Sequence, residues 1–188
     1  MIEFKNVTFK YKGSKENILN DFSLLINKGE RIWISGTSGR GKTTLLRLIM
    51  GLEKAKKGKV IIEENAKIST VFQEDRLIPF VSVEKNVSLF SNHEKAQTVL
   101  TQLGLKDVMG EEINSLSGGM KRRVALARAL SKDFNLLILD EALNGLDEET
   151  KNNTASVINK YTENKTVVFV SHSGEEAALL NTKEFKLI

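Results

Sequence analysis

Near its start the chain sets apolar residues among polar ones at Ile2, Phe4, Val7 and Phe9. Alternation puts one set of side chains on a single face of a pleated backbone, so Ile2 to Tyr11 reads as a strand. The apolar run Phe22 to Ile26 reads as a second strand of a β-rich opening. Arg31 to Ser35 is a short apolar strand that runs into the glycine-punctuated turn Gly36 to Gly41, and leucines at helical spacing then carry a helix from Lys42 to Met50. Lys59 to Ile62 and Lys67 to Phe72 read as two more strands, and Val83 to Phe90 and Glu94 to Leu103 as helices of a polar insert. From Gly119 a helix presents Met120, Val124, Ala127 and Leu130. The strand Leu136 to Leu139 follows, then a helix presenting Thr154, Val157, Ile158 and Tyr161, then the strand Thr166 to Val170.

Strands that alternate with helices predict an α/β fold whose mostly parallel sheet is covered on both faces. In such a sheet the chemistry gathers at the carboxyl ends of the strands. There is no internal repeat and no low-complexity linker.

The 188 residues, 40% hydrophobic and 28% charged with a single proline, suit one compact domain over 1–188. The longest apolar runs, such as Leu136 to Leu139 and Val167 to Val170, are of buried-strand length, far short of the roughly 20 residues a membrane helix needs. Met1 to Lys5 lacks the basic start, apolar middle and small-residue cleavage site of a secretory leader. The absence of cysteine is compatible with a reducing cytoplasm. The net charge of +4 comes from lysines spread along the chain, so nucleic acid is not an expected partner, whereas phosphate-bearing small molecules suit that charge.

Gly36-Thr37-Ser38-Gly39-Arg40-Gly41-Lys42-Thr43 fits the pattern G-x-x-x-x-G-K-[ST] between a strand and a helix. The glycines let backbone N–H groups close on phosphate oxygens at a helix N-terminus, where a side chain would block the approach. Lys42 supplies a point charge to the β- and γ-phosphates, and the Thr43 hydroxyl is placed to ligate the Mg²⁺ that bridges them. Asp140 and Glu141 leave the buried strand Leu136 to Leu139 where the phosphate loop also opens. In enzymes with such a loop, an aspartate there holds Mg²⁺ and an adjacent glutamate polarises the attacking water. The plainer reading is an acidic helix cap favoured by the helix dipole. His172 also closes a strand. A lone histidine is more often structural, but this position lets it donate to the γ-phosphate or hold the water-bearing glutamate. Leu116 to Met120 is a second anion-binding element in form, although it could equally be a simple helix cap.

In this order, the two glycine loops, the Asp140-Glu141 pair and His172 make the sequence similar to the nucleotide-binding subunit of the ATP-binding cassette (ABC) transporter family over essentially the whole chain. Gly36 to Thr43 resembles the Walker A loop, Leu136 to Asp140 the Walker B strand, and Leu116 to Met120 the LSGGQ signature. Gln73 resembles the Q-loop glutamine, Asp147 the D-loop aspartate, His172 the switch histidine and Tyr11 the aromatic that stacks on adenine.

The resemblance implies a P-loop NTPase fold with a mostly parallel sheet core, an N-terminal antiparallel β part and a small helical insert over 74–117. It implies ATP and Mg²⁺, with Glu141, His172 and Gln73 as the catalytic set and Thr43, Gln73 and Asp140 toward the metal. Nucleotide contacts would come from Tyr11, Gly36, Thr37, Ser38, Gly39, Arg40, Gly41, Lys42, Thr43 and Thr44, and across a head-to-tail homodimer or pseudo-dimer from Ser117, Gly118 and Gly119. The implied partners are membrane-spanning transporter subunits, met through the Phe72 to Phe90 surface with Leu77 to Phe80 exposed, and an external solute-binding protein. The implied place is cytoplasmic, peripheral on the inner face of the cell membrane.

The stretch Val71 to Pro79 looks most like importers of nitrate, sulfonates and related small organic ions. Met120, Ala142 and the pair Arg40-Gly41 depart from the commoner residues of these motifs, yet none of them removes a phosphate ligand or the water-polarising acid. The short run after His172 and the compact insert suggest a minimal cassette with a small or atypical membrane partner. Two other readings are a soluble cassette that clamps nucleic acid or ribosomes and a non-hydrolysing ATP-dependent dimerisation switch. The first lacks its usual second cassette or coiled coils, and the second is opposed by the presence of Glu141 and His172.

Overall fold

A computed structural model describes residues 1–187. Along the chain run β1 (Ile2–Phe9), β2 (Leu19–Ile26), β3 (Arg31–Ser35), α1 (Lys42–Ile49), β4 (Lys57–Ile62), β5 (Ile68–Val71), α2 (Val83–Ser88) and α3 (His93–Gln102). Two 3₁₀ turns lead to α4 (Gly118–Ser131), followed by β6 (Leu136–Asp140), α5 (Glu148–Tyr161), β7 (Thr166–Val170), α6 (Gly174–Leu179) and β8 (Lys183–Lys186).

The strands form two sheets. An antiparallel one has the order β2-β1-β4, and a wholly parallel one the order β5-β6-β7-β3-β8. In β1 the buried residues are Ile2, Phe4, Val7 and Phe9. The spacing slips between Phe4 and Val7, where the pairing to β2 shifts register and Asn6 takes φ 49°. The interior strands β6 and β7 are buried at every position, which accounts for their unbroken apolar sequences.

Each face of the parallel sheet has its own core. Leu137, Leu139, Val167 and Phe169 pack with residues of α2 to α5, whereas Leu136, Ile138, Val168 and Val170 pack with α1 and the antiparallel sheet. β6 and β7 are therefore clamped from both sides, and their carboxyl ends are rigid mounts for whatever follows them.

In the insert, α2 and α3 pack on each other and on α4. Asn86, fully buried on α2, fastens the loop before it. Its Oδ1 accepts the Ile78 N–H at 2.9 Å, and its Nδ2 donates to the carbonyls of Ile78, Val81 and Ser82, each at 3.1 Å. The loop so held exposes Ile78, Pro79 and Phe80, but Leu77 packs inward against the core, contrary to the expectation of a fully exposed Leu77 to Phe80 run.

The sequence reading also stops short of α6 and β8. β8 has the pattern Lys-Glu-Phe-Lys at a sheet edge, so it carries no apolar run to announce it, yet it pairs parallel to β3 along its whole length. No helix among the described residues is long and apolar enough to cross a membrane.

Candidate functional site

The loop after β3 is built on two glycines at which any side chain would be strained and crowded. Gly41 has φ 98°, and a Cβ there would meet Ile18 Cγ2 at 2.6 Å. Gly36 has φ 146°, and its Cβ would meet the Leu187 carbonyl oxygen at 2.8 Å. The chain just past β8 thus braces the loop from behind, with the Leu187 N–H donating to the Ser35 carbonyl at 2.9 Å. Between these supports the Lys42 ammonium, on a residue only 7% exposed, donates to the Gly36 carbonyl at 2.7 Å and to that of Thr37 at 3.1 Å.

α1 begins at Lys42 with no side-chain cap and no acidic residue in its first turn. The other five α-helices are each capped by a Ser, Asn or Asp side chain: Ser82, Asn92, Ser117, Asp147 and Ser173. The N–H groups at the start of α1 are therefore left for an anion.

Asp140 ends β6, opposite this loop, and is 6% exposed. Burial, reinforced by the neighbouring Glu141 charge, pushes its carboxyl up to about 6, against the opposing pull of the Thr43 hydroxyl, Lys42 and Arg122. Glu141 leaves the strand at φ 51°, a conformation that costs a residue with a Cβ roughly 1–2 kcal/mol. It is held there by its N–H, which donates to the Val170 carbonyl at 2.8 Å. The turn aims the carboxylate sideways: Oε1 lies 3.5 Å from His172 Nε2, and Oε2 accepts from the Asn144 amide at 3.4 Å.

One cavity of about 360 Å³ is lined among others by Lys42, Thr43, Thr44, Gln73, Glu141 and His172. Tyr11 stands at its wall, edge-on to Phe9 at 5.0 Å, with its hydroxyl hydrogen-bonded to Thr44 Oγ1 at 3.1 Å. Ser38, Gly39 and Gly41 also line it, whereas Gly36, Thr37, Arg40 and Asp140 do not. Gln73 is carried on a loop strapped to α4. Arg122 donates to the carbonyls of Phe72 at 2.8 Å and Gln73 at 2.6 Å, and Arg128 to those of Arg76 at 2.8 Å and Asp75 at 2.9 Å.

Ser117, Gly118 and Gly119 do not line this cavity. They open α4, with Ser117 Oγ accepting the Met120 N–H at 3.2 Å, beside the turn that leads to Asp147. A Cβ on Gly119 would sit 3.5 Å from Leu146 Cδ2 and 3.7 Å from the Gly145 oxygen. A different groove, about 370 Å³, lies over β5 and α4 and is lined by Phe72, Arg76, Phe90, Arg128 and Lys132, with Phe80 and Phe90 of the insert well exposed.

The sequence reading missed Ile18, which lines the cavity and fixes Gly41, and also Arg122 and Leu187. Ile18 and Leu187 act by position alone and have no sequence signal. Arg122 lies five residues past Ser117 on α4, among the polar positions between the apolar ones that mark that helix.

Asp140, Thr43 and Gln73 offer hard oxygen donors of the kind Mg²⁺ takes, and Mg²⁺ is commonly held by one carboxylate shared with substrate phosphates rather than by a full protein cage. No cluster of three or more acidic, His or Cys side chains that would form such a cage occurs among the described residues.

Residues 19–144 match the family model described as ABC transporter. The chain is 43% identical over 174 residues to an aliphatic sulfonates import ATP-binding protein of Pectobacterium atrosepticum, covering 87% of this chain and 65% of that protein, so it spans less than two thirds of that relative. It is 36% identical to a thiamine import ATP-binding protein of Haemophilus influenzae, covering 85% of this chain and 86% of the relative. Its fold superposes with a TM-score of 0.88, at 31% identity, over 100% of this chain and 94% of an ATP-binding cassette solved as a dimer in a post-hydrolysis state with ADP and Pi. A family match over two thirds of the chain and a relative matched over 86% of its length agree: this chain belongs to the ABC transporter family.

Proposed function

We propose that the chain is the ATP-binding and ATP-hydrolysing subunit of a membrane transporter. The observation that carries this is the convergence of Lys42, Thr43, Glu141 and His172 on one cavity, with the buried Asp140 carboxyl near enough to feel Thr43, Lys42 and Glu141.

In this reading the N–H groups of the Gly36 to Thr43 loop and the Lys42 ammonium hold the triphosphate, and Tyr11 packs against the base. Thr43, Asp140 and Gln73 are the residues that would hold Mg²⁺, which when bound neutralises charge on the β- and γ-phosphates. Glu141 takes the proton of a water whose oxygen attacks the γ-phosphorus as the bond to the β–γ bridging oxygen breaks, giving ADP and phosphate. His172, 3.5 Å from Glu141, fixes the carboxylate that does this.

Ser117, Gly118 and Gly119 lie outside their own chain's cavity, so their phosphate-binding role needs a second cassette placed head to tail. ATP then favours the closed dimer, and its cleavage returns the open one. The groove between Phe72 and Phe90, with Arg76, Arg128 and Lys132 along it, is the surface offered to membrane-spanning partners. The chain would sit peripherally on the inner face of the membrane. An importer would add an external solute-binding protein. Transport is favoured over a clamp on nucleic acid or ribosomes because the sulfonate and thiamine relatives are import ATP-binding proteins.

The test is Mg²⁺-dependent ATP hydrolysis by the purified chain, with gel filtration of Glu141→Gln with and without ATP. Turnover together with an ATP-driven dimer supports the proposal. Their absence both alone and with co-expressed membrane subunits would overturn it.

A further inference from the structure

Behind His172 lies an ion pair, its carboxylate buried, that the hydrolysis mechanism does not use. Glu176, on α6, has a side chain only 7% exposed; its Oε2 accepts the Ser171 hydroxyl at 2.6 Å and its Oε1 lies 3.5 Å from Lys151 Nζ on α5. Ser171 Oγ accepts the Ser173 N–H at 3.0 Å, and Ser173 Oγ accepts the Glu176 N–H at 3.3 Å. On the other side, the Trp33 indole N–H donates to the Ser171 carbonyl at 2.9 Å. Both chain neighbours of His172 are thus tied down, whereas the half-exposed histidine ring has Glu141 as its one polar contact among the described residues. A cavity of about 220 Å³ has Glu141, His172 and Glu176 all in its wall.

Stability does not explain this pair. The carboxylate is buried but the Lys151 side chain is 27% exposed, and an ion pair with one partner open to solvent contributes little to a fold. What the pair supplies is geometry, because a carboxylate with partners on both oxygens has a single orientation and transmits it to Ser171. α5 is capped by Asp147, whose carboxylate accepts the Thr150 N–H at 2.9 Å and whose carbonyl accepts the Lys151 N–H at 2.8 Å. Lys151 therefore carries the position of the Asn144 to Asp147 turn into the His172 turn.

We infer that Glu176, held by Lys151, is a positioning residue for His172, fixing the turn from Ser171 to Ser173 so that the ring faces Glu141. The inference rests on the ATPase reading above, but one of its readouts does not need turnover. The chain has two histidines, His93 and His172, so the ring resonances of isotope-labelled protein are few and His172→Ala assigns them.

Glu176→Gln keeps the size and the acceptor for Ser171 while removing the charge opposite Lys151. It is expected to lower kcat at least tenfold, to change the KM for ATP less than twofold, and to shift the His172 ring signals while leaving those of His93 in place. In a His172→Ala background the same substitution should cost less than a further twofold, because it acts through the histidine. The paired variant Lys151→Met with Glu176→Leu replaces the ion pair by apolar side chains and keeps the fold, which its melting temperature checks. It should show the same loss of kcat.

An equal loss from Glu176→Gln with and without His172, an unmoved His172 ring, or full activity in the apolar pair would each overturn the inference. A wild-type protein without turnover would instead count against the ATPase reading, and the ring signals would still decide the positioning role.

Discussion

The Arg122 guanidinium donates to the carbonyl of Gln73 at 2.6 Å and to that of Phe72 at 2.8 Å, and it lies 3.2 Å from the Asp75 carboxylate. One side chain of α4, just past the first turn after Ser117, thus holds the Phe72 to Gln73 end of the loop, and Arg128 the Asp75 to Arg76 end. Arg122→Ala would leave two carbonyls without their donor and Asp75, whose carboxyl burial already pushes up, with less countercharge. The expected cost is about 1–3 kcal/mol, or several degrees of melting temperature in a chain of this size. Amide exchange should quicken from Phe72 to Arg76 and stay unchanged in β6 and β7. Arg122→Lys should not restore protection, since a single ammonium lacks the fork that bridges two carbonyls. Unaltered exchange in Arg122→Ala would show that Arg128 alone holds the loop.

Glu141 and Lys42 should fail in different ways. Glu141→Gln keeps the shape and the hydrogen bond from Asn144 but cannot take a proton. ATP affinity should therefore persist while kcat falls by about 10²–10⁴-fold. Lys42→Ala removes the ammonium now shared between two loop carbonyls and should weaken nucleotide binding itself. Equilibrium binding of a fluorescent ATP analogue beside steady-state turnover separates the two. Normal turnover in Glu141→Gln would take the base role from that residue.

The interior of this protein is far more legible from its sequence than its edges. β6 and β7 are buried on both faces, so their apolar runs are dictated by packing. The phosphate loop is legible for a related reason, because Gly41 is forced by a positive φ and by Ile18 at its back. α6 and β8 escape notice because a two-turn helix and a charged edge strand carry too few buried positions to set a period. The inward turn of Leu77 escapes because it depends on Asn86, nine residues on, whose polar side chain gives no sign that it will be buried to hold a loop. Local pattern fixes what is buried by its own element; contacts that one element makes on behalf of another leave little trace.

Asp140 predicts a trade between stability and function. Its folded pKa of about 6 lies above the ordinary 3.8, so between about pH 4 and 6 the folded chain binds more protons than the unfolded one. Stability from this group is therefore full below pH 4, falls as pH rises through that window and stays reduced above it. At about 1.4 kcal/mol per unit, the cost near neutrality is roughly 2–3 kcal/mol. In metal-free, nucleotide-free protein, Asp140→Asn should raise the melting temperature at pH 7.5 by several degrees and change it little at pH 4, while Mg²⁺-ATP affinity drops. A stability gain of the same size at both pH values would mean that packing, not charge, sets the cost.

Ser117 separates what a single chain does from what a pair does. Its hydroxyl caps α4 by accepting the Met120 N–H, so Ser117→Ala should cost about 1 kcal/mol of stability. Because Ser117 does not line its own chain's cavity, ATP binding by the monomer should be unchanged. The ATP-driven dimer of Glu141→Gln, by contrast, should weaken at least tenfold when Ser117→Ala is added, as read by analytical ultracentrifugation across a concentration series. Met120→Gln should leave both properties near those of the parent, since residue 120 meets Ser117 through its backbone N–H, which every residue but proline supplies. A dimer that survives Ser117→Ala undiminished would place the contact between cassettes elsewhere than the start of α4.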